Sequence, residues 1–225
     1  MIKAVIFDYG GTLAKSKAPE NIVSEKSVER LLMEGIEVEA IDFHNAFFET
    51  AEWRMSLHDE GKEIDSYKFY NHLVGIFGHE ISKDVSDELE MYLVENGEPD
   101  WLVNVEALLI KLSGDYKIAL LSNAWLEAPR QILRDKGWGR WFDVMVCSFD
   151  IGIPKPDARI FQHTLNLLEV DASEAVMVGD SIKTDIKGAI SVGMEAIWVD
   201  KEGTSEWKGH TVKTIDELPE LLKNI

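Results

Sequence analysis

Asp8 ends the apolar run IKAVIF, and Gly10, Gly11 and Thr12 follow at once. A carboxylate at the end of a buried strand is costly unless it has a partner or a task. A glycine pair lets another group come close to the backbone. Three further apolar runs lead to residues that could do chemistry. KIALLS ends in Ser122, with Asn123 beside it. DVMVCS leads into GIPKPD, which carries Lys155, and AVMVGD ends in Asp180, with Asp185 in the SIKTD that follows. Hard oxygen ligands from Asp8 and Asp180 suit Mg2+, which takes few protein ligands and keeps waters. The Thr12 and Ser122 hydroxyls, the Asn123 amide and the N–H groups around Gly11 can hold phosphoryl oxygens. Lys155 can neutralise a nucleophile and a phosphate together, and a carboxylate nucleophile that forms an aspartyl-phosphate is established chemistry. The set points to phosphoryl transfer.

These groups need a scaffold that brings distant segments together. The four runs, with EAIWVD, are short, continuous and apolar, which suits parallel strands buried on both faces. Helical patterns separate the last four: APRQILRDKG, DARIFQHTLNLLEV after Pro156, and SIKTDIKGAISVG. Strand alternating with helix predicts an α/β fold with a doubly wound parallel sheet, Rossmann-like, in which ligands bind beyond the carboxyl ends of the strands. The first strand stands apart from the second. Residues 15–97 show helical periodicity in four segments, ENIVSEKSVERLLMEGI, EAIDFHNAFFETAEWRMSLHD, SYKFYNHLVGIFG and SKDVSDELEMYLVENG. They predict an inserted α-helical domain, with the core formed by residues 1–14 and 98–225. The second boundary falls at Gly97-Glu98-Pro99, and the helical pattern WLVNVEALLIKLSG returns the chain to the sheet.

Composition excludes several roles. The 225 residues carry a formal net charge of -18, which disfavours nucleic acid and anionic membranes as partners. A small phosphorylated compound remains the expected partner, and a phosphate site in this chain must be positive locally. The hydrophobic share of 45% is ample for a packed core. Cys147 is the single cysteine, lies in an apolar run and reads as a core residue, in keeping with a reducing interior. With no signal peptide or long apolar stretch, the expected location is cytoplasmic. Monomer and homodimer both stay open. Scarce glutamine and many charges give a weak thermophilic signal.

The four segments resemble the motifs of the haloacid dehalogenase superfamily, in the phosphatase branch with a helical cap inserted after the first motif. FDYGGTL is similar to the family's Asp-x-Asp-x-Thr at Asp8 and Thr12. LLSNA matches the second motif at Ser122, PKPD the third at Lys155, and GDSIKTD the fourth at Asp180 and Asp185. The resemblance covers the whole chain. It implies a Mg2+-dependent hydrolase with Asp8 as nucleophile and metal ligand. Asp180 would be the second metal carboxylate, the Gly10 backbone carbonyl a further ligand, and Asp185 an outer-shell group. Gly11, Thr12, Ser122, Asn123 and Lys155 would bind phosphate. The cap would close over the site and select the substrate.

Position 10 departs from the family pattern. The family's phosphatases place there an aspartate that protonates the leaving group and then activates water; this chain has Gly10. General acid–base help is worth about 10²–10⁴ in rate. Three readings follow. The substrate's leaving group needs no proton, as in acyl phosphates; a cap residue supplies the acid, with His44, His58 and His72 as candidates; or the scaffold is a non-catalytic phosphate-binding or regulatory protein. Two relatives without that aspartate also bear on it. A 2-haloacid dehalogenase would lack the acidic fourth motif. A phosphonate hydrolase would use a cap lysine, for which Lys62 and Lys68 are the candidates. Arg54 reads first as a solvated helix face and second as a contact for a substrate anion. Phe47, Phe48 and Trp53, at helical spacing, read as the core of the inserted helices. Trp125 could pack in the core or shape the interface with them.

Overall fold

The computed structural model describes residues 1–15, 21–96, 99–102, 104–204 and 207–225. In chain order the elements are β1 (Ala4–Phe7), β2 (Ala14–Lys15), α1 (Asn21–Met33), α2 (Ala40–Asp59), α3 (Ser66–Gly75), α4 (Lys83–Asn96), β3 (Asp100–Trp101), α5 (Val105–Leu112), β4 (Lys117–Ser122) and α6 (Ala128–Asp135). They continue with β5 (Val144–Cys147), α7 (Ala158–Leu168), β6 (Ala175–Gly179), α8 (Lys187–Ser191), β7 (Glu195–Val199), β8 (His210–Val212) and α9 (Leu218–Leu221).

The main sheet has six parallel strands in the order β5-β4-β1-β6-β7-β8. Five of them fall on the five apolar runs. The sixth, β8, is a three-residue edge strand, too short to stand out as a run. Side chains of β1 alternate, as the pleat requires. Val5 and Phe7 enter one core with Leu108 and Leu109 of α5. Ala4 and Ile6 enter the other with Phe161 and Leu165 of α7. Helices therefore cover both faces, which explains why these strands read as unbroken apolar runs. The chain leaves β1 for β4 and β5 on one side and returns to β6 on the other. The reversal opens a crevice beyond β1 and β6, where Asp8 and Asp180 stand.

α1 to α4 form a helical unit with its own core, including Leu31, Phe43, Phe69, Leu73 and Leu89. Asp65 caps α3 by accepting a hydrogen bond from the Lys68 N–H at 2.9 Å. The segments leading into and out of the unit meet as the antiparallel ribbon of β2 and β3. The expected boundary at Gly97-Glu98 lies outside the described residues. The helix expected over residues 101–114 starts later, at Val105, because the Asn104 side chain caps the Ala107 N–H at 3.1 Å and Trp101 is drawn into the ribbon. Of the aromatics assigned to the helical core, Phe47 and Trp53 pack against it, whereas Phe48 is exposed. Cys147 is fully buried at the end of β5, and burial pushes its thiol up to about 12, so it is a core residue as expected. No helix among the described residues is long and apolar enough to cross a membrane.

Candidate active site

Three strand ends converge on one ammonium group. Lys155 Nζ lies 2.8 Å from Asp8 Oδ1, 2.7 Å from Asp185 Oδ1 and 2.8 Å from the Leu121 carbonyl oxygen. All three side chains are buried. Burial works to lower the Lys155 pKa, but the charges of Asp185 and Asp8 outweigh it and hold the lysine protonated. Asp8 behaves in the opposite way. Burial raises its pKa, the Lys155 charge opposes, and Asp185 adds to the rise, which leaves Asp8 at about 7. Asp180 is raised by burial and by Asp185. Asp8, Asp180 and Asp185 each offer an oxygen within 4.8 Å of the others. Two ammonium groups, Lys155 and the more exposed Lys201, against three carboxylates leave negative charge uncompensated, and the donors are all hard oxygens. That donor set fits a divalent cation such as Mg2+.

Local sequence explains the close approach. Gly11 has φ +75, and a Cβ there would lie 1.8 Å from Asp180 Oδ2. A Cβ on Gly179 would lie 2.3 Å from Asp185 Oδ2. Both glycines are therefore clearance for carboxylates. Asp185 sits on a π-helical turn, Ile182–Ile186, whose wider winding aims it inward. Its Oδ2 accepts from the Ser181 N–H at 3.0 Å and its Oδ1 from the Thr184 hydroxyl at 3.3 Å. Trp198 on β7 donates to the Asp180 carbonyl at 2.9 Å, and Lys201 donates to the Gly11 carbonyl. The Asn123 amide braces the Lys155 backbone from both sides: its Oδ1 accepts from the Lys155 N–H at 2.7 Å, and its Nδ2 donates to the Lys155 carbonyl at 3.0 Å.

A cavity of about 490 Å³ opens over these groups. Asp8, Tyr9, Gly10, Ser122, Asn123 and Lys155 line its floor with Asp180 and Asp185. Gly11 and Thr12 are not in that lining. Thr12 is buried, and its hydroxyl has no partner among the described residues. Most of the remaining wall is apolar, from Val23, Phe47 and Leu93 of the helical unit and from Trp125, Leu126 and Ile132 of the sheet side.

Arg54 corrects an expectation. It is buried, lines the cavity, and is not part of a solvated face. The signal was in the sequence: Phe43, Ala46, Thr50 and Arg54 are the buried residues of α2, spaced three and four apart. Its partner Glu63 gave no signal, because the pairing depends on how the loop after α2 folds back. Glu63 accepts from Arg54 Nε at 2.8 Å and Nη2 at 2.5 Å, from the Ile64 N–H at 2.9 Å and from the Ser148 hydroxyl at 2.6 Å. His58 Nε2 lies 2.8 Å from the same carboxylate. Burial alone would raise the Glu63 pKa. Hydrogen bonds from His58 and Arg54, the Arg54 charge and the Ser148 hydroxyl prevail, and the pKa is lowered to about 2.

None of the three candidate histidines lines the cavity. His58 is held by Glu63, His72 stacks on Trp53 with ring centroids 3.7 Å apart, and His44 meets Phe48 edge-on. Lys62 and Lys68 are exposed and stand outside the lining as well.

A sequence profile described as haloacid dehalogenase-like hydrolase matches residues 2–193. The chain belongs to that family. Members similar to it include the N-acylneuraminate-9-phosphatase of Rattus norvegicus, 32% identical over 54% of this chain and 52% of the relative. The match thus spans about half the length of the first such relatives. The glyceraldehyde 3-phosphate phosphatase of Methanothermobacter thermautotrophicus is 27% identical over 98% of each chain. Among solved structures, a 2-haloacid dehalogenase from Pseudomonas syringae superimposes with a TM-score of 0.72 at 25% identity, covering 100% of this chain and 99% of that one. This haloacid dehalogenase-like hydrolase therefore has phosphatase-named relatives, and the acidic cluster at its strand ends is in keeping with them.

Proposed function

We propose that the chain is a Mg2+-dependent phosphatase that forms an aspartyl-phosphate on Asp8 and acts on small phosphorylated compounds whose leaving group departs without a proton, such as acyl phosphates. Asp8, Asp180 and the Gly10 carbonyl would hold Mg2+, with Asp185 outside them, and the ion would supply positive charge against the phosphoryl oxygens. Lys155 keeps Asp8 oriented and offsets its charge. One Asp8 carboxylate oxygen attacks phosphorus, the bond from phosphorus to the leaving oxygen breaks, and the leaving group carries off the electron pair. Water then hydrolyses the acyl-phosphate and restores Asp8. Ser122 would bind phosphoryl oxygens directly. Asn123 would serve the same end by fixing Lys155, and Gly11 by making room for Asp180. The role of Thr12 would be limited to the loop, since its side chain is buried away from the cavity. Residues 15–97 would act as the cap, opening and closing over the site.

The observation that carries the choice of leaving group is the chemistry of the wall. Outside the strand-end set, Tyr9 and Arg54 are the only titratable side chains that line the cavity among the described residues. Burial raises the Tyr9 phenol's pKa, and its hydroxyl is enclosed without a partner among the described residues. A guanidinium is not a general acid. Among the described residues, the cavity wall outside the strand-end set offers no carboxylate or histidine in place of the aspartate missing at position 10. A panel of acetyl phosphate, p-nitrophenyl phosphate and alkyl phosphates with Mg2+ tests this. Acetyl phosphate should turn over well above any alkyl ester, and Asp8→Asn should abolish turnover. Faster hydrolysis of alkyl esters would overturn the leaving-group assignment. No Mg2+-dependent turnover by folded protein would favour a binding role instead.

A further inference from the structure

Among the described residues, Arg54 is the one charged residue of the cavity wall that belongs to no strand-end motif. Its Nε and Nη2 are engaged by Glu63, and Nη2 also reaches the Asn123 carbonyl at 3.4 Å. Its Nη1 has no partner among the described residues. The Glu63 side chain is fully enclosed, at 0% exposure, and is ionised at neutral pH. Arg54 and Glu63 together therefore present a donor to the cavity with almost no net charge. A neutralised guanidinium suits a neutral oxygen acceptor far better than a second anion, which would have to be desolvated against Glu63. The apolar wall around it, Phe47 and Trp125 included, gives such an anion no other help, and the chain's charge of -18 opposes it.

We infer that Arg54 determines specificity in this cavity, with Glu63 as its positioning residue, and that the pair selects phosphoryl compounds whose apolar body carries one neutral acceptor, a carbonyl, hydroxyl or ether oxygen. The inference rests on the phosphate-binding reading of the strand-end site. Glu63 does more than pair with Arg54. Its N–H donates to the Gly152 carbonyl at 2.9 Å, and Ser148, which donates its one hydroxyl proton to the carboxylate, has its Oγ 3.1 Å from the Ala124 carbonyl oxygen. The guanidinium is thereby set relative to the loops that carry Asn123 and Lys155.

Calorimetric binding of stable phosphonates, with Mg2+ present, tests the pair without any need for turnover. The probes are alkylphosphonates from propyl to hexyl, the same chains with a ketone, and the same chains with a terminal carboxylate. At the best chain length the ketone should bind about tenfold tighter than the plain alkyl chain, the worth of one good hydrogen bond. The carboxylate should gain nothing. In Arg54→Lys the ratio of ketone to alkyl affinity should fall to about one. In Glu63→Gln the uncompensated guanidinium should turn preference toward the carboxylate by about tenfold, an outcome that loosened packing would not produce. If that variant does not fold, Arg54→Met with Glu63→Gln removes both members together and should bring the ketone ratio to about one. A wild-type preference for the carboxylate, an unchanged ratio in Arg54→Lys, or no binding of any probe overturns the inference. If the ketone preference is present and depends on Arg54 while no phosphoryl donor turns over, the hydrolase reading fails and the recognition of a neutral acceptor stands.

Discussion

At the scale of residues, the first motif loop divides its work between two glycines. Gly10 has open space around the position of a Cβ, with nothing within 4 Å. An aspartate can therefore be placed there without disturbing the loop. If the missing acid limits the reaction, Gly10→Asp should raise turnover of alkyl phosphates by about tenfold or more, while acetyl phosphate changes little. Steady-state rates on both substrates check this, and equal effects on the two would contradict it. Gly11 is the reverse case. A Cβ there collides with Asp180 at 1.8 Å, and its φ of +75 disfavours other side chains. Gly11→Ala should displace Asp180 and weaken Mg2+ binding by about 10–100-fold, the usual cost of disturbing a group that orients a metal ligand. Titration calorimetry with Mg2+ measures it; unchanged affinity would remove Asp180 from the ligand set.

At the scale of elements, the loop from β4 to α6 joins the two parts of the molecule. It begins with Ser122 and Asn123 in the site. Two residues later Trp125 enters the core of the helical unit and stacks on Phe69 at 3.8 Å, with planes 17° apart. Tyr70 meets it edge-on at 5.8 Å. Both readings of Trp125 are met, since it packs in a core, contributed from across the interface, and also lines the cavity. Trp125→Ala should cost roughly 2–3 kcal/mol in a urea transition, below the figure for a fully buried aromatic because Trp125 is half-buried. A loss under about 0.5 kcal/mol would mean that the stack does not hold the helical unit in place. These elements also show what was legible. α2 buries residues at helical spacing and α3 is capped by Asp65, and their ranges follow the sequence pattern. β8 and the β2–β3 ribbon form because neighbouring backbone is already in place, which no short window of sequence records.

At the scale of the whole molecule, Glu63 is the charged joint between helical unit and sheet. Its folded pKa of about 2 lies below that of an unfolded glutamate. Its contribution is therefore complete above pH ~4.5 and is lost as pH falls from there toward ~2, on the order of 3 kcal/mol in all. Denaturant unfolding of wild type and Glu63→Gln across that window should show the gap between them closing as pH drops. A gap independent of pH would mean that Glu63 is not ionised in the fold. What the sequence determined by itself was five of the six strands of the sheet and the roster of strand-end groups, because short apolar runs and the residues that punctuate them are local patterns. Asp8, Ser122, Lys155, Asp180 and Asp185 could be named without coordinates. Only the tertiary structure decided how those groups divide their tasks. The distance between Lys155 and the two aspartates and the turn of Asn123 toward the Lys155 backbone arise between segments far apart in the chain, while the withdrawal of Thr12 from the cavity and the pairing of Arg54 with Glu63 depend on how their loops fold back. Burial and charge at such meeting points are set by the packed whole, and spacing along the sequence does not carry them.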